Sequence, residues 1–294
     1  MKDKLEYFAV KFLVYVANLL PQNFAYSLMK FISRTIFNFE KRRRELTLKN
    51  LSLAFKEKDD KEIRKLAVQA YENVAITVSE ILFMINDKLD LDSMITNKDE
   101  VIKKLNNLKL DRGIIFITGH FGNWELMAHF LAKNGYPMIV IGRKGNNELI
   151  ENHFTTPFRE KYGNKNVYKK NALISMVKTL KRSKNIGFMA DQKAGGSSSI
   201  KVNFFSHPAD TVSTIAFLKL KYNPLIIPTF AIREKDGKYK IEIFEPVEYI
   251  ADECENEKDK IAKMTQKYND ILETVIRKYP EQWFWMHNRW RLAI

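Results

Sequence analysis

An α/β fold, with a central mostly parallel sheet covered by helices, is predicted by three features of the 294-residue sequence. From residue 114 onward, short apolar runs alternate with stretches of helical spacing, which is the pattern of a parallel sheet buried on both faces. Several of these runs end in polar or charged residues, as strands do where a site is built beyond their carboxyl ends. The first 95 residues read as helix, so they would pack on the sheet or dock it to a surface.

The chain begins with its most lipid-like stretch, "EYFAVKFLVYVANLLPQNFAYSLMKFISRTIF" at 6–37, which is uncharged from Phe12 to Met29. Asn18, Pro21, Gln22 and Asn23 interrupt it, and Lys11 and Lys30 bracket it. A spanning helix needs roughly 20 predominantly apolar residues, so the run is marginal. It lacks the small-residue cleavage site of a signal peptide. An interfacial helix fits, with Lys4, Lys11, Lys30 and Arg34 toward headgroups and "KRRR" at 41–44 on anionic lipid. A soluble amphipathic pair packed on the core is the alternative. The expected division is 1–44 as membrane-associating helices and 45–294 as one α/β domain, since no Pro/Gly/Ser linker divides the rest.

Residues 45–85 read as two helices, the second introduced by Asp59 and Asp60. "IIFIT" (114–118) is a β-branched apolar run, hence a buried strand. A helix over 123–134, a strand over 136–142, a helix over 146–162, a strand over 166–169 and a helix over 171–183 follow. "NIGFMAD" (185–191) is a strand, and "IKVNFF" (200–205) with a helix over 210–221 continues the alternation. "KAGGSSSI" (193–200) reads as a flexible loop beside the site. "PLIIPTFAIRE" and "KYKIEIFEPVEY" form a hairpin around "KDGK". A helix over 256–279 precedes a Trp-rich end.

Apolar residues at 45% and charged residues at 29% make the chain globular rather than disordered. The net charge of +14 points to an anionic partner. No zinc finger or aromatic RNP box accompanies that charge, which lowers the nucleic-acid reading. The single cysteine, Cys254, excludes an internal disulfide and a cysteine zinc site, and a reducing, cytosol-facing location fits it.

The candidate site is "GHFGNWE" (119–125), where His120 follows a strand and Glu125 falls in the first turn of the next helix. A neutral imidazole can take a proton from a hydroxyl that attacks an acyl carbonyl, and a carboxylate on its other nitrogen fixes the tautomer. Gly119 and Gly122 would allow the sharp turn and leave room for substrate. No second histidine stands at zinc spacing, so no metal is expected, and no cofactor is implied. No serine or cysteine nucleophile accompanies the pair, which leaves direct transfer without a covalent intermediate. An ordinary polar strand end is the competing reading. Arg143, Arg159, Asp191 and Gln192 lie at or after other strand ends; an arginine there could hold a phosphate or an oxyanion. "YPEQWFWMHNRWR" (279–291) suits a membrane interface, an anionic ligand or a helix capping the core, and His287 reads as structural.

Over nearly its whole length the chain resembles the lipid A biosynthesis acyltransferases, the lauroyl and myristoyl transferases of lipid A assembly. The resemblance rests on the hydrophobic N-terminal helix, "KNLSLAF" (49–55), "GHFGNWE", Arg159, "ADQ" (190–192), "VNFFSHPADT" (202–211) and "YPEQWFWMHNRW" (279–290). His120 and Glu125 alone would place it only in the wider glycerolipid-type acyltransferase superfamily. The resemblance implies an enzyme at the cytoplasmic face of the inner membrane. It would move an acyl chain from an acyl-acyl carrier protein to a hydroxyl of a Kdo-bearing lipid A precursor. His120 would be the general base and Glu125 its partner. Arg159, Asp191, Arg143, Gln192 and Asn123 would bind substrate. "FFSH" stands where the family has "FFG", and "KAGGSSSI" shows little of the family pattern; both are expected near the substrate. Another acceptor, such as a lysophospholipid or a mannosylated phosphoinositide, is the alternative within this chemistry. A non-enzymatic membrane-binding protein is the alternative outside it.

Overall fold

A computed structural model describes residues 1–108, 112–168 and 172–293. Up to Asn106 it is helical: α1 (Lys2–Leu19), α2 (Gln22–Phe39), α3 (Lys41–Ala54), α4 (Asp60–Ile85), α5 (Leu91–Met94) and α6 (Lys98–Asn106). Asp59 starts α4 with a reciprocal cap: its carboxylate accepts from the Glu62 amide, and the Glu62 carboxylate accepts from the Asp59 amide. Then follow β1 (Ile114–Thr118), α7 (Trp124–Lys133), β2 (Met138–Gly142), α8 (Glu148–Ile150), α9 (Thr156–Glu160), β3 (Lys165–Tyr168), α10 (Ala172–Leu180) and β4 (Asn185–Met189). The remainder is β5 (Ser199–Phe204), β6 (His207–Val212), α11 (Thr214–Tyr222), β7 (Leu225–Arg233), β8 (Tyr239–Ile243) and α12 (Glu257–Lys278).

The six-stranded sheet has the order β3-β2-β4-β1-β7-β8, and only β8 runs antiparallel. The predicted α/β class and mostly parallel sheet are therefore present. β1 is buried along its full length, as its uninterrupted apolar run requires. The β7–β8 hairpin turns at Gly237, whose φ of 85° only glycine adopts at little cost.

One expected helix carries an irregularity, and two other expectations are corrected. The helix expected over 146–162 is present over 148–160 without a gap, with a π-turn at Glu151–Thr155 between α8 and α9. The helix expected from 210 begins at Thr214, because 207–212 is a strand instead. That strand pairs with β5 in a separate two-stranded sheet, so "IKVNFF" does not continue the main sheet. The hairpin was hidden because its two turn residues, Phe205 and Ser206, have φ of 51° and 61° without being glycine. Pro208 tolerates its place because β6 is an edge strand. The last residue of the strand expected at 166–169 and the first of the helix expected at 171–183 lie outside the described residues.

The "FFSH" turn packs against α12 rather than over His120. The Phe205 amide donates to Glu273, and its ring lies among Phe55, Trp285 and Trp290. Its left-handed turn residues carry steric cost that glycine would remove. Ser206→Gly is expected to stabilise the protein by about 0.5–1 kcal/mol, after the extra unfolded-state entropy of glycine is subtracted. A rise of about 1–3 °C in the thermal midpoint would show it; an unchanged or lower midpoint would show that Ser206 carries no strain.

α1 and α2 leave Phe8, Phe12, Leu19, Phe24, Phe31 and Phe39 exposed. Among the described residues no helix is long and apolar enough to cross a membrane. The expected headgroup cluster is only partly uncommitted. Arg34 pairs with Glu72, Arg43 donates to the Met286 carbonyl, and Arg44 donates to the Phe37 carbonyl.

Candidate active site

Strand register brings the principal side chains together. Thr118 at the end of β1 pairs with Met189 at the end of β4. Two residues beyond each stand His120 and Asp191, so adjacent parallel strands deliver both at the carboxyl edge of the sheet. Asp191 is 1% exposed and accepts from the His120 amide at 2.8 Å and from the Trp283 indole N–H at 2.9 Å through Oδ2. Its Oδ1 lies 2.9 Å from His120 Nδ1. An ionised carboxylate only accepts, so Nδ1 carries the proton and Nε2 carries the lone pair.

Charge follows from the same geometry. Burial works against the Asp191 anion, but the charge and hydrogen bonds of His120 and the Trp283 donor outweigh it and hold the carboxyl at about 2. Burial likewise works against the imidazolium; the charge and hydrogen bond of Asp191, with the charge of Glu125, outweigh it and raise His120 above the ordinary histidine value. The result is an oriented imidazole of raised basicity. The Gln192 amide nitrogen stands 3.4 Å from its Nε2, and the half-buried rings of Trp124 and Phe284 flank it at 5.1 and 6.2 Å.

Glu125 is not the direct hydrogen-bonding partner of His120. Its Oε1 accepts from Arg159 Nε at 2.9 Å and Nη2 at 2.6 Å. The first turn of α7 points its carboxylate toward α9, whereas register gives Asp191 the place beside Nδ1. Two carboxylates thus hold two different groups: Asp191 a base and Glu125 a guanidinium.

The other expected contacts divide. Arg159 stands near enough for its charge to act on His120. Arg143 is exposed at the end of β2, donates to Asn146, and lies outside the hydrogen-bonded cluster. Asn123, expected to meet substrate, is fully buried and engaged at both ends. Its oxygen caps α7 through the Leu126 amide, and its amide donates to Glu80. A helix start that must be held in place has taken the side chain that the sequence left open. Gly122 is also packed against protein rather than opened to substrate. A Cβ there would lie 1.8 Å from the Ala231 carbonyl oxygen, and its φ is +55°.

The C-terminal segment proves to be scaffold. It is neither helix nor surface belt beyond the short turn at Pro280–Gln282. Trp283 and Trp285 are buried, and the backbone at 282–284 clamps the His120 loop. Gly122 N–H donates to the Gln282 carbonyl, and Phe284 N–H donates to the His120 carbonyl. His287 Nε2 accepts from the Lys193 amide, fixing the turn after Asp191. Burial brings His287 down to about 4, so it keeps that lone pair through neutral pH.

Sequence reasoning missed a second layer beneath the loop. Glu80 of α4, wholly buried, pairs with Arg233 and accepts from Tyr239 and Asn123. Arg233 also donates to Asn73 and Thr77, and Thr77 donates to the Gly122 carbonyl. One signal was available: Glu80 is the sole charge between Glu72 and Asp87, within an apolar helical run. Among the described residues no group of His, Cys, Asp and Glu gathers in the arrangement of a metal site.

Comparison with known proteins gives a consistent picture. The family described as bacterial lipid A biosynthesis acyltransferase matches residues 2–292. The chain is 27% identical to the lipid A biosynthesis lauroyltransferase of Escherichia coli (strain K12), across 92% of this chain and 87% of that protein. It is 26% identical to a lipid A biosynthesis acyltransferase of Haemophilus influenzae, covering 85% of this chain and 78% of that one. It is 25% identical to the lipid A biosynthesis palmitoleoyltransferase of Escherichia coli (strain K12), covering 86% and 80%.

Proposed function

Because this chain belongs to the bacterial lipid A biosynthesis acyltransferase family, we propose that it transfers a fatty acyl chain from an acyl-acyl carrier protein to a hydroxyl of a Kdo-bearing lipid A precursor. The observation that carries the reading is the oriented imidazole: Nδ1 on buried Asp191, and Nε2 holding a lone pair on a side chain that keeps 20% of its surface exposed.

His120 Nε2 takes the proton of the acceptor hydroxyl as its oxygen bonds to the thioester carbonyl carbon. Asp191 holds the tautomer and stabilises the imidazolium that forms. The tetrahedral intermediate collapses by breaking the C–S bond, and the leaving thiolate takes the proton back from His120. Arg159, held by Glu125, offers charge to the oxyanion or to a phosphate of the acceptor, and Gln192 meets the substrate beside Nε2. No enzyme nucleophile is required.

The exposed apolar rows of α1 and α2 support a place on the anionic cytoplasmic face of the inner membrane. Each exposed phenylalanine withheld from water by acyl chains adds about 1.5–3 kcal/mol. Lys4, Lys11 and Lys30, with the net charge of +14, favour an anionic leaflet, an acidic carrier protein and a phosphorylated acceptor alike. Mass spectrometry of lipid A from cells with and without the gene tests the reading. Loss of one acyl chain per lipid A is expected, and an unchanged acyl count would turn attention to another acceptor.

A further inference from the structure

His129 is buried in α7 at 1% exposure, four residues after Glu125, and the chemistry above makes no use of it. Its two ring nitrogens face two carbonyl oxygens: Nδ1 lies 2.7 Å from the Glu125 carbonyl, and Nε2 lies 2.8 Å from the Phe158 carbonyl. Carbonyl oxygens only accept. Each contact is therefore a hydrogen bond when its nitrogen carries a proton; the neutral ring makes one at a time and the doubly protonated ring makes both. The ring also lies against Phe158 at 4.4 Å and Tyr162 at 5.6 Å.

Phe158 directly precedes Arg159. One side chain thus sits between the peptide of Glu125 and the peptide next to Arg159, the two residues whose side chains form the ion pair at 2.6 Å. The segment that carries Arg159 is one short helical stretch whose regular ladder a π-turn interrupts. α8, a π-turn of 5 residues and α9 follow one another without a gap over 148–160. A helix of about a dozen residues is marginal unless packing supports it. π-turns also place side chains that a regular helix would turn elsewhere. An unsupported arginine would sample many rotamers.

We propose that His129 is a positioning residue that ties the Phe158–Arg159 peptide to α7 and so sets the Arg159 guanidinium against Glu125, beside His120. This rests on the reading of Arg159 as a participant in acyl transfer.

The test is a cycle in the full-length protein with His129→Leu, Arg159→Gln and the double variant, with His129→Gln as the conservative replacement. His129→Leu is expected to lower kcat/KM about 10–100-fold, and His129→Gln, whose amide still donates, to recover part of that loss. On the Arg159→Gln background, His129→Leu is expected to cost less than about 3-fold more, because residues acting through one group are not additive. Equal losses on both backgrounds, or wild-type kinetics in His129→Leu, would overturn the proposal. If His129→Leu does not fold, His129→Gln carries the same cycle and the same criterion. A readout independent of turnover is solvent exchange of the Arg159 Nε–H, followed by NMR. It is expected to quicken in the His129 variants, and unchanged exchange would overturn the positioning role whatever the rates. Wild-type turnover in Arg159→Gln would instead remove Arg159 from the reaction while leaving the exchange result to judge His129.

Discussion

Asp191→Asn is expected to lower kcat by about 10³–10⁴-fold. An asparagine oxygen can still accept from the His120 amide and from the Trp283 indole, which turns its NH2 toward Nδ1. The imidazole must then accept at Nδ1 and carry its proton on Nε2, where a base needs a lone pair. The pH profile gives an independent check. His120 acts as a base only when neutral, so the rate rises as pH climbs through its pKa. That pKa lies above the ordinary histidine value in the wild type because the carboxylate outweighs burial. Without the carboxylate only burial remains as the leading effect, so the acid limb of the residual activity moves to lower pH. Glu125→Gln should behave differently. It loosens Arg159 and costs about 10–100-fold, while the carboxylate at Nδ1 stays in place; Glu125 is only a secondary contributor to the raised value. The acid limb therefore moves far less than in Asp191→Asn. A Glu125→Gln profile displaced as far as that of Asp191→Asn would restore the pairing first expected from the sequence.

Arg233→Met is expected to destabilise the protein by about 3–5 kcal/mol, because it leaves the Glu80 carboxylate buried without its cation. Glu80 is wholly buried, and Arg233 meets both of its oxygens. The pair also sits over Tyr239, whose ring lies 4.7 Å from the guanidinium. Replacing both members, Glu80→Gln with Arg233→Met, should recover much of the loss, since neither side is then an isolated charge. Urea unfolding of the three variants in one detergent distinguishes the cases. A loss below about 1 kcal/mol in Arg233→Met would place the pair with exposed ion pairs. Activity should fall alongside stability, because Glu80 orients Asn123 at the start of α7 and Thr77 holds the Gly122 carbonyl.

The sheet was legible wherever a strand carries its own signature. "IIFIT", "NIGFMAD" and the hairpin around "KDGK" announce themselves by apolar runs and turn residues. What the sequence could not supply is strand order. β4 inserts between β2 and β1, and only that placement sets Asp191 against His120. Sequence proximity favoured Glu125, five residues from His120, over Asp191, which lies 71 positions away. β6 was missed because its turn uses left-handed Phe205 and Ser206 where a glycine would have been the cue. The tryptophans near the end are conspicuous in sequence, yet tryptophan suits both a lipid interface and a buried donor. The structure finds the second use in Trp283, whose N–H meets Asp191. The Glu80–Arg233 layer joins residues 153 apart and leaves a single trace, one charge within an apolar helical run.

The proposed mechanism makes His120 the base for transfer of an acyl chain to a lipid A precursor. The most direct test incubates purified wild-type protein and His120→Ala with acyl-acyl carrier protein donors and a Kdo-bearing lipid A precursor, and weighs the products. Wild type should add one acyl mass to the acceptor. His120→Ala should add none, while keeping the wild-type circular dichroism spectrum and binding to anionic vesicles. Acyl transfer by His120→Ala at the wild-type rate would remove His120 from the reaction.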